Sequence, residues 1–205
     1  MTILVDQPLW SWRDRRWAHL VSDESVDELH DFAQTIGKRR VGFQGDHYDV
    51  HEQERHRAIA AGALEIDSRE LVRRLRDAGL RLRGGLPKWT VLHEDEVSGS
   101  SLLADVSTRL AHIPSLAERL SQVIATPTLA PKKVGLLLLE RPHEAAIVIR
   151  HLPREAVAQG WLQPARQRDG EVRLGHDESG LVLEVLQSRH RSNSARSNSA
   201  QTVDQ

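Results

Sequence analysis

Cysteine is absent from the 205 residues, which excludes disulfides, thiolate zinc sites and cysteine nucleophiles and suits a reducing cytoplasm. Long apolar runs are lacking too. The strongest, "VGLLLL" from Val134, is far shorter than the about 20 residues that a membrane-spanning helix needs. Asp6 interrupts the N-terminus "MTILVDQPLW" before a signal-peptide apolar region could form. A soluble, cytoplasmic chain with no membrane partner is expected. Charge of one sign is also missing: 28 Lys and Arg stand against 29 Asp and Glu, a net of -1. No global field draws the protein to nucleic acid, so binding of that kind needs a local patch. G-x-G-x-x-G and G-x-x-x-x-G-K-[ST] are absent, which removes the usual dinucleotide and P-loop phosphate cradles. G-x-S-x-G and H-E-x-x-H are absent as well.

What is present reads as ordinary globular protein, with 39% hydrophobic and 28% charged residues. Three short apolar runs in the first half have the character of buried parallel strands: "TILV" (Thr2 to Val5), "RVGF" (Arg40 to Phe43) and "ALEI" (Ala63 to Ile66). Each precedes a helix with start and stop signals. Ser25 and Glu28 form a capping box, Val26, Leu29, Phe32, Ala33 and Ile36 line one face, and Gly37 ends it. Asp49 with Glu52 starts a second helix that stops at Gly62, and Asp67 with Glu70 starts a third that stops at Gly79. The expected fold class is α/β, with a three-stranded parallel β-α-β-α-β-α domain over residues 1–83.

"LRGGLP" opens a linker, assigned to 84–100, and residues 101–187 read as an α+β domain. Within it, 101–126 is helical by pattern with a break near Pro114. "KVGLLLLE" and "AAIVIRH" are strand candidates, "EVRL" and "GLVLEV" suggest a hairpin, and 153–158 suggests a short helix. The repeat "RSNSARSNSA" has nothing to bury, so 188–205 is expected to be a disordered tail.

A parallel sheet presents its site at the carboxyl ends of its strands. That edge would receive a loop of about eighteen residues after Asp6, where two to six are usual. It carries Trp10, Trp12 and Trp17 interleaved with Arg13, Arg15 and Arg16, then His19 and Asp23. The second loop, within "VGFQGDHYDVH", adds Asp46, His47, Tyr48 and Asp49. Capping accounts for Asp49 and Asp67, and His51 and His56, five apart in one helix, are poorly spaced to share a metal. Asp6, Asp46 and His47 have no such explanation. They form a candidate metal set for Mg²⁺ or Mn²⁺, with Asp46 and His47 as catalytic candidates. Trp10, Trp12, Trp17, Arg13, Arg15, Arg16, His19 and Tyr48 are candidate substrate contacts. Apolar filling for a long loop is the expected role of at least one of the tryptophans, and a surface that stacks on bases and pairs with phosphate is the alternative.

The motifs "ILVD", "WAHLVSDESVDELHDFA", "FQGDHYDV" and "SRELVRRLRDAGLR" resemble a bacterial and phage family catalogued as domain of unknown function 4031, over roughly residues 1–83. The resemblance implies a small stand-alone domain and assigns no catalytic residues. Three functions compete. One is a metal-dependent hydrolase of phosphoesters in nucleotides or nucleic acid. The second is a non-catalytic nucleotide or nucleic-acid binding module. The third is a protein-interaction domain anchored by the tryptophan–arginine loop.

Overall fold

The computed structural model describes residues 2–125, 132–162, 172–177 and 180–188. It is a mixed α/β structure with two five-stranded sheets. The first sheet is built around its longest strand, β3 (Arg15–Ser22). Strand β1 (Ile3–Val5) runs antiparallel to it, with Val5 opposite Leu20. Strand β2 (Trp10–Trp12) is also antiparallel, with Trp10 opposite Trp17. After α1 (Val26–Thr35) and a 3-10 turn (Arg40–Gly42), β4 (Tyr48–His51) pairs the other side of β3 and sets Asp49 opposite His19. Helix α2 (Glu52–Ala60) leads to β5 (Leu64–Glu65), which pairs β1 in parallel, and α3 (Ser68–Asp77) closes the domain.

The expected three-stranded parallel sheet is therefore replaced by a mixed one. Two local misreadings account for it. The segment after Asp6 is a hairpin rather than a loop, and its turn residues Arg13 and Asp14 have φ of 50° and 58°. Both central residues at positive φ make the turn that suits a two-residue hairpin, which asparagine–glycine pairs usually announce. Here two ordinary residues adopt it without that signal. The run "RVGF", read as the middle strand, is instead the 3-10 turn. Its Val41 packs on the second sheet, so a tertiary contact outweighs a four-residue preference.

Helices α1 and α3 start at the capping residues the sequence marked. Ser25 Oγ accepts the Glu28 N–H at 3.1 Å, and Asp67 accepts those of Arg69 and Glu70 at 2.9 and 3.1 Å. The second helix does not start at Asp49, which lies inside β4. It starts at Glu52, where the Glu54 carboxylate accepts the His51 N–H at 3.0 Å.

Alternation on β3 and β4 divides their side chains. Ala18, Leu20, Tyr48 and Val50 enter a core with Leu29, Ala33 and Ala58 of α1 and α2. On the opposite face, Leu4 and Val21 pack against Leu71 and Leu75 of α3. That helix covers only part of the face. The rest is where the polar residues gather.

The second sheet is an antiparallel array in the order β6 (Thr90–Ser98), β7 (Lys133–Arg141), β8 (Glu144–Leu152), β10 (Gly180–Ser188), β9 (Val172–Asp177). Strand β6 occupies much of the stretch read as a linker. Helices α4 (Leu102–Arg109) and α5 (Pro114–Val123) supply Leu102, Val106, Leu116 and Leu120 to a core on one face of this sheet. The segment 153–158, expected as a short helix, is irregular at Pro153 and forms turns from 154 on. The expected tail lies outside the described residues, apart from Ser188 at the end of β10. Among the described residues, no helix is long and apolar enough to cross a membrane.

The other face of the second sheet meets the first domain. Glu184 is buried and accepts the backbone N–H groups of Arg40 (2.7 Å) and Val41 (3.2 Å). Trp89 Nε1 donates to Val41 O at 2.9 Å, and Arg173 donates to His30 O at 2.8 Å. The 3-10 turn is thereby fixed between the domains.

Candidate metal centre

The uncovered face of the β3–β4 ribbon carries Trp17 and His19 on one strand and Asp49 and His51 on the other, as strand alternation requires. His47 precedes β4 by one residue. His19, His47 and Asp49 each offer a ligand atom, and these atoms lie within 4.8 Å of one another. The two imidazoles meet edge to face with centroids 5.1 Å apart, and His47 Nε2 is 3.4 Å from Asp49 Oδ1.

Both histidines are held from behind by a carboxylate. Asp6, at the end of β1, is 1% exposed. Its Oδ2 accepts His19 Nδ1–H at 2.8 Å and Ser68 Oγ–H at 2.7 Å, while Oδ1 accepts the His19 backbone N–H at 2.6 Å. Asp46, 2% exposed, accepts His47 Nδ1–H at 2.6 Å on Oδ1. Its Oδ2 accepts Arg81 Nη1 at 2.6 Å and Leu82 N–H at 2.8 Å. With Nδ1 of each ring committed to a carboxylate, Nε2 is the nitrogen a deprotonated ring would offer to an ion, the arrangement that carboxylate–histidine–metal triads use.

The loop that carries Asp46 is fixed by a close approach. Gly45 has φ of 115°, and a Cβ there would collide with Leu82 Cδ2. Gln44 O accepts the Leu86 N–H at 3.0 Å. The start of the stretch read as a linker thus straps the site loop.

Electrostatics follow from these bonds. Burial pushes the Asp46 carboxyl up, but the hydrogen bonds from His47, Arg81 and Leu82 outweigh it and hold the group at about 2. Burial opposes charge on His47, yet Asp46 and Asp49 outweigh that and raise it to about 9. Burial also pushes Asp6 up, and the bonds from His19 and Ser68 exceed it, so this carboxyl too is held below its ordinary value.

Of the residues expected in the metal set, His47 contributes to the cluster directly. Asp6 and Asp46 stand behind the histidines and hold them. His19, expected as a substrate contact, lies in the cluster. Asp49, read as a helix cap, lies there too. The i, i+2 spacing of His47 and Asp49, across the entry to β4, is the signal that could have paired them. Trp10 packs on the His19 ring at 4.5 Å. Trp12 is 55% exposed near the hairpin tip, under the Arg13 guanidinium at 4.4 Å. Trp17 touches Trp12 and His51, each at 5.8 Å. Arg15 shares the face of Trp17, and Arg16 falls on the other by alternation. Tyr48 is fully buried, with its hydroxyl 2.9 Å from His30 Nδ1 in the core. It has no route to a substrate. Arg55, which sequence reasoning did not single out, is buried beneath the site. Its Nε donates to Asp6 O at 2.7 Å, and its guanidinium pairs with Glu65.

Together these features define an α/β domain with an open two-histidine, one-carboxylate cluster on a mixed sheet. Residues 3–78 match the model of a family described as "Protein of unknown function (DUF4031)". The match covers the segment whose motifs resemble that family, and less than half of the chain. No curated protein and no solved structure matches the chain.

Proposed function

We propose that the first domain is a metal-dependent phosphoester hydrolase whose ion is held by His19, His47 and Asp49. One observation carries this reading: two histidines, each backed at Nδ1 by a buried carboxylate, converge with a third ligand to within 4.8 Å. Three protein ligands leave coordination positions for water and substrate, as in catalytic rather than structural sites. Two imidazoles with one carboxylate suit Mn²⁺ or Zn²⁺ better than Mg²⁺, which prefers an all-oxygen octahedron. The ion would lower the pKa of a bound water. That is the chemistry an ion held there would supply to phosphoester hydrolysis, in which water adds at phosphorus, the ester P–O bond breaks and the leaving alcohol takes the proton that water gives up. The arginines of the β2–β3 hairpin support an anionic substrate.

A second reading keeps the nucleotide or nucleic-acid partner and drops the chemistry. The exposed Trp12 with Arg13 stacked on it favours that reading, because such a pair can stack on a base without any metal.

Calorimetry with Mn²⁺ and Zn²⁺, with hydrolysis of bis(p-nitrophenyl) phosphate followed in parallel, separates the two. The hydrolase binds one ion and turns over the ester, and Asp49→Ala loses both. A wild type that binds no ion at millimolar metal would overturn the proposal.

A further inference from the structure

Between the domains lies a cleft of about 850 Å³. Its walls come from the β2–β3 hairpin, the segment from Gly37 to Gly42, the start of α2, and the ends of β8 and β9. We infer that this cleft is the groove for the sugar–phosphate backbone of a single-stranded nucleic acid, which it leads to the His19–His47–Asp49 cluster. The inference deepens the hydrolase reading by naming its substrate class, and it gives the second domain a part in binding.

Charge is the first support. The lining includes Arg15, Lys38, Arg39, Arg57 and Arg150, against one acidic residue, Glu54. Lys38 lies 2.9 Å from Glu54, Arg150 lies 2.7 Å from Glu94, and Arg15 is engaged as well, so part of that charge is offset. The excess still stands out in a chain of net charge -1. A local concentration of this kind is what the balanced composition required of any nucleic-acid site.

Continuity with the cluster is the second. Trp17 and His51 line the cleft and touch each other. His19 and Asp49 follow them at two residues' distance on the same strands and the same face, a step of about 7 Å. A phosphodiester chain lying along the ribbon would pass from the cationic wall to the cluster within about one nucleotide's length.

The form of the occupant comes from the spread of the cations. They sit on β3, α2, β8 and the connection before the 3-10 turn, in both domains, which matches a succession of phosphates rather than the compact charge of one free nucleotide. Trp17, half-buried against Trp12 and His51 with Lys38 Nζ 5.5 Å from its ring centroid, adds an aromatic element to the cationic wall, and stacking together with backbone cations is how single strands are held without base-pair readout. A duplex keeps its bases stacked on one another and would leave that ring unused.

His151 gives independent support from the second domain. It lines the cleft with φ of 61°, a conformation non-glycine residues rarely take. Its ring lies over Gly135, where a Cβ would come within 3.2 Å of Nδ1. The pairing of β8 with β10 is irregular nearby, between Leu181 and Leu183. Strain of this sort, maintained by a neighbouring glycine, collects at functional surfaces.

The test uses the full chain in EDTA, so that cleavage does not intervene, with fluorescein-labelled ten-nucleotide oligo-dT followed by anisotropy. Wild type binds, and the affinity falls as salt rises. Arg57→Glu, on the exposed side of α2, and Arg150→Gln each weaken binding by about tenfold or more and flatten the salt dependence. Arg69→Glu, exposed on α3 and outside the cleft, binds as wild type. Failure of wild type to bind at low salt would overturn the groove. So would unchanged affinity in both cleft variants, or equal competition by poly-glutamate or by a mononucleotide at matched phosphate. Cleft-dependent binding with no metal-dependent cleavage leaves the groove standing and removes the hydrolase. Cleavage of bis(p-nitrophenyl) phosphate without oligonucleotide binding does the reverse.

Discussion

Asp49 lies directly opposite His19 across the antiparallel β3–β4 pair. That register brings residues thirty positions apart to one face, and neither residue's neighbours in sequence announce it. Once His47 joins from the preceding turn, the three can close on one ion, and the buried aspartates behind the two rings become supports.

Metal binding should release a proton. In the metal-free protein His47 is raised to about 9, so at pH 7 its ring is protonated and must lose that proton to coordinate. Calorimetry at pH 7 in two buffers of different ionisation enthalpy should report about one proton released per ion. Apparent affinity should rise about tenfold per pH unit up to about 9. No proton release would contradict the pairing of His47 with Asp46 and Asp49.

The same pair shapes metal-free stability. His47 is raised from 6.5 to about 9, so its contribution is complete below 6.5 and fades as pH climbs through about 9. Asp46 is lowered from 3.8 to about 2, so its contribution is complete above 3.8 and fades as pH falls through about 2. Both describe one ion pair and are counted once, which puts its full effect between about pH 4 and 6.5. Asp46→Asn should cost about 1.5–3 kcal/mol at pH 5.5. Urea denaturation should show that difference shrinking by about pH 10.

The supporting carboxylates and the ligand should separate by degree. Asp6→Asn keeps the shape but weakens the support of His19, which should lower metal affinity about 10- to 100-fold. Asp49→Ala removes a ligand and should reduce binding further. Equal losses in the two variants would mean that Asp6 itself contacts the ion.

Glu184 should matter to the joint between the domains. Its carboxylate takes two backbone N–H groups, of Arg40 and Val41, in surroundings whose burial pushes the carboxyl up. Glu184→Leu should leave both donors unsatisfied at about 1–3 kcal/mol each. Hydrogen exchange at Arg40 and Val41 should accelerate well beyond that of β3.

The hairpin turn can be improved without touching the cluster. Arg13 and Asp14 hold φ of 50° and 58°. The double substitution Arg13→Asn with Asp14→Gly should stabilise the protein by about 1 kcal/mol, since the left-handed region is costly for most residues. Thermal unfolding checks this, with metal affinity unchanged.

Much of the secondary structure was legible because it is local. Capping by Ser25 and by Asp67 depends on atoms three residues apart, and the amphipathic faces of α1 and α3 follow from helical periodicity. The hairpin was not legible, because its turn uses arginine and aspartate where the known signals are glycine and asparagine. "RVGF" was misread because a short run around Val41 and Phe43 looks the same whether it faces a sheet neighbour or another domain.

The candidate site divides the same way. Sequence alone drew attention to Asp6, Asp46 and His47 as polar residues without a local purpose, and to the crowding of tryptophan and arginine before His19. It could not assign ligand and support, because whether an aspartate faces an ion or the back of a histidine depends on strand register. Composition and local spacing determined a cysteine-free α/β chain with three helices in its first half and a polar cluster after its first strand. The tertiary structure alone decided that the sheet is mixed, that Asp49 completes a cluster with His19 and His47, and that a cationic cleft opens beside it. Those outcomes depend on contacts between distant segments, and such contacts have no counterpart in residues that are neighbours along the chain.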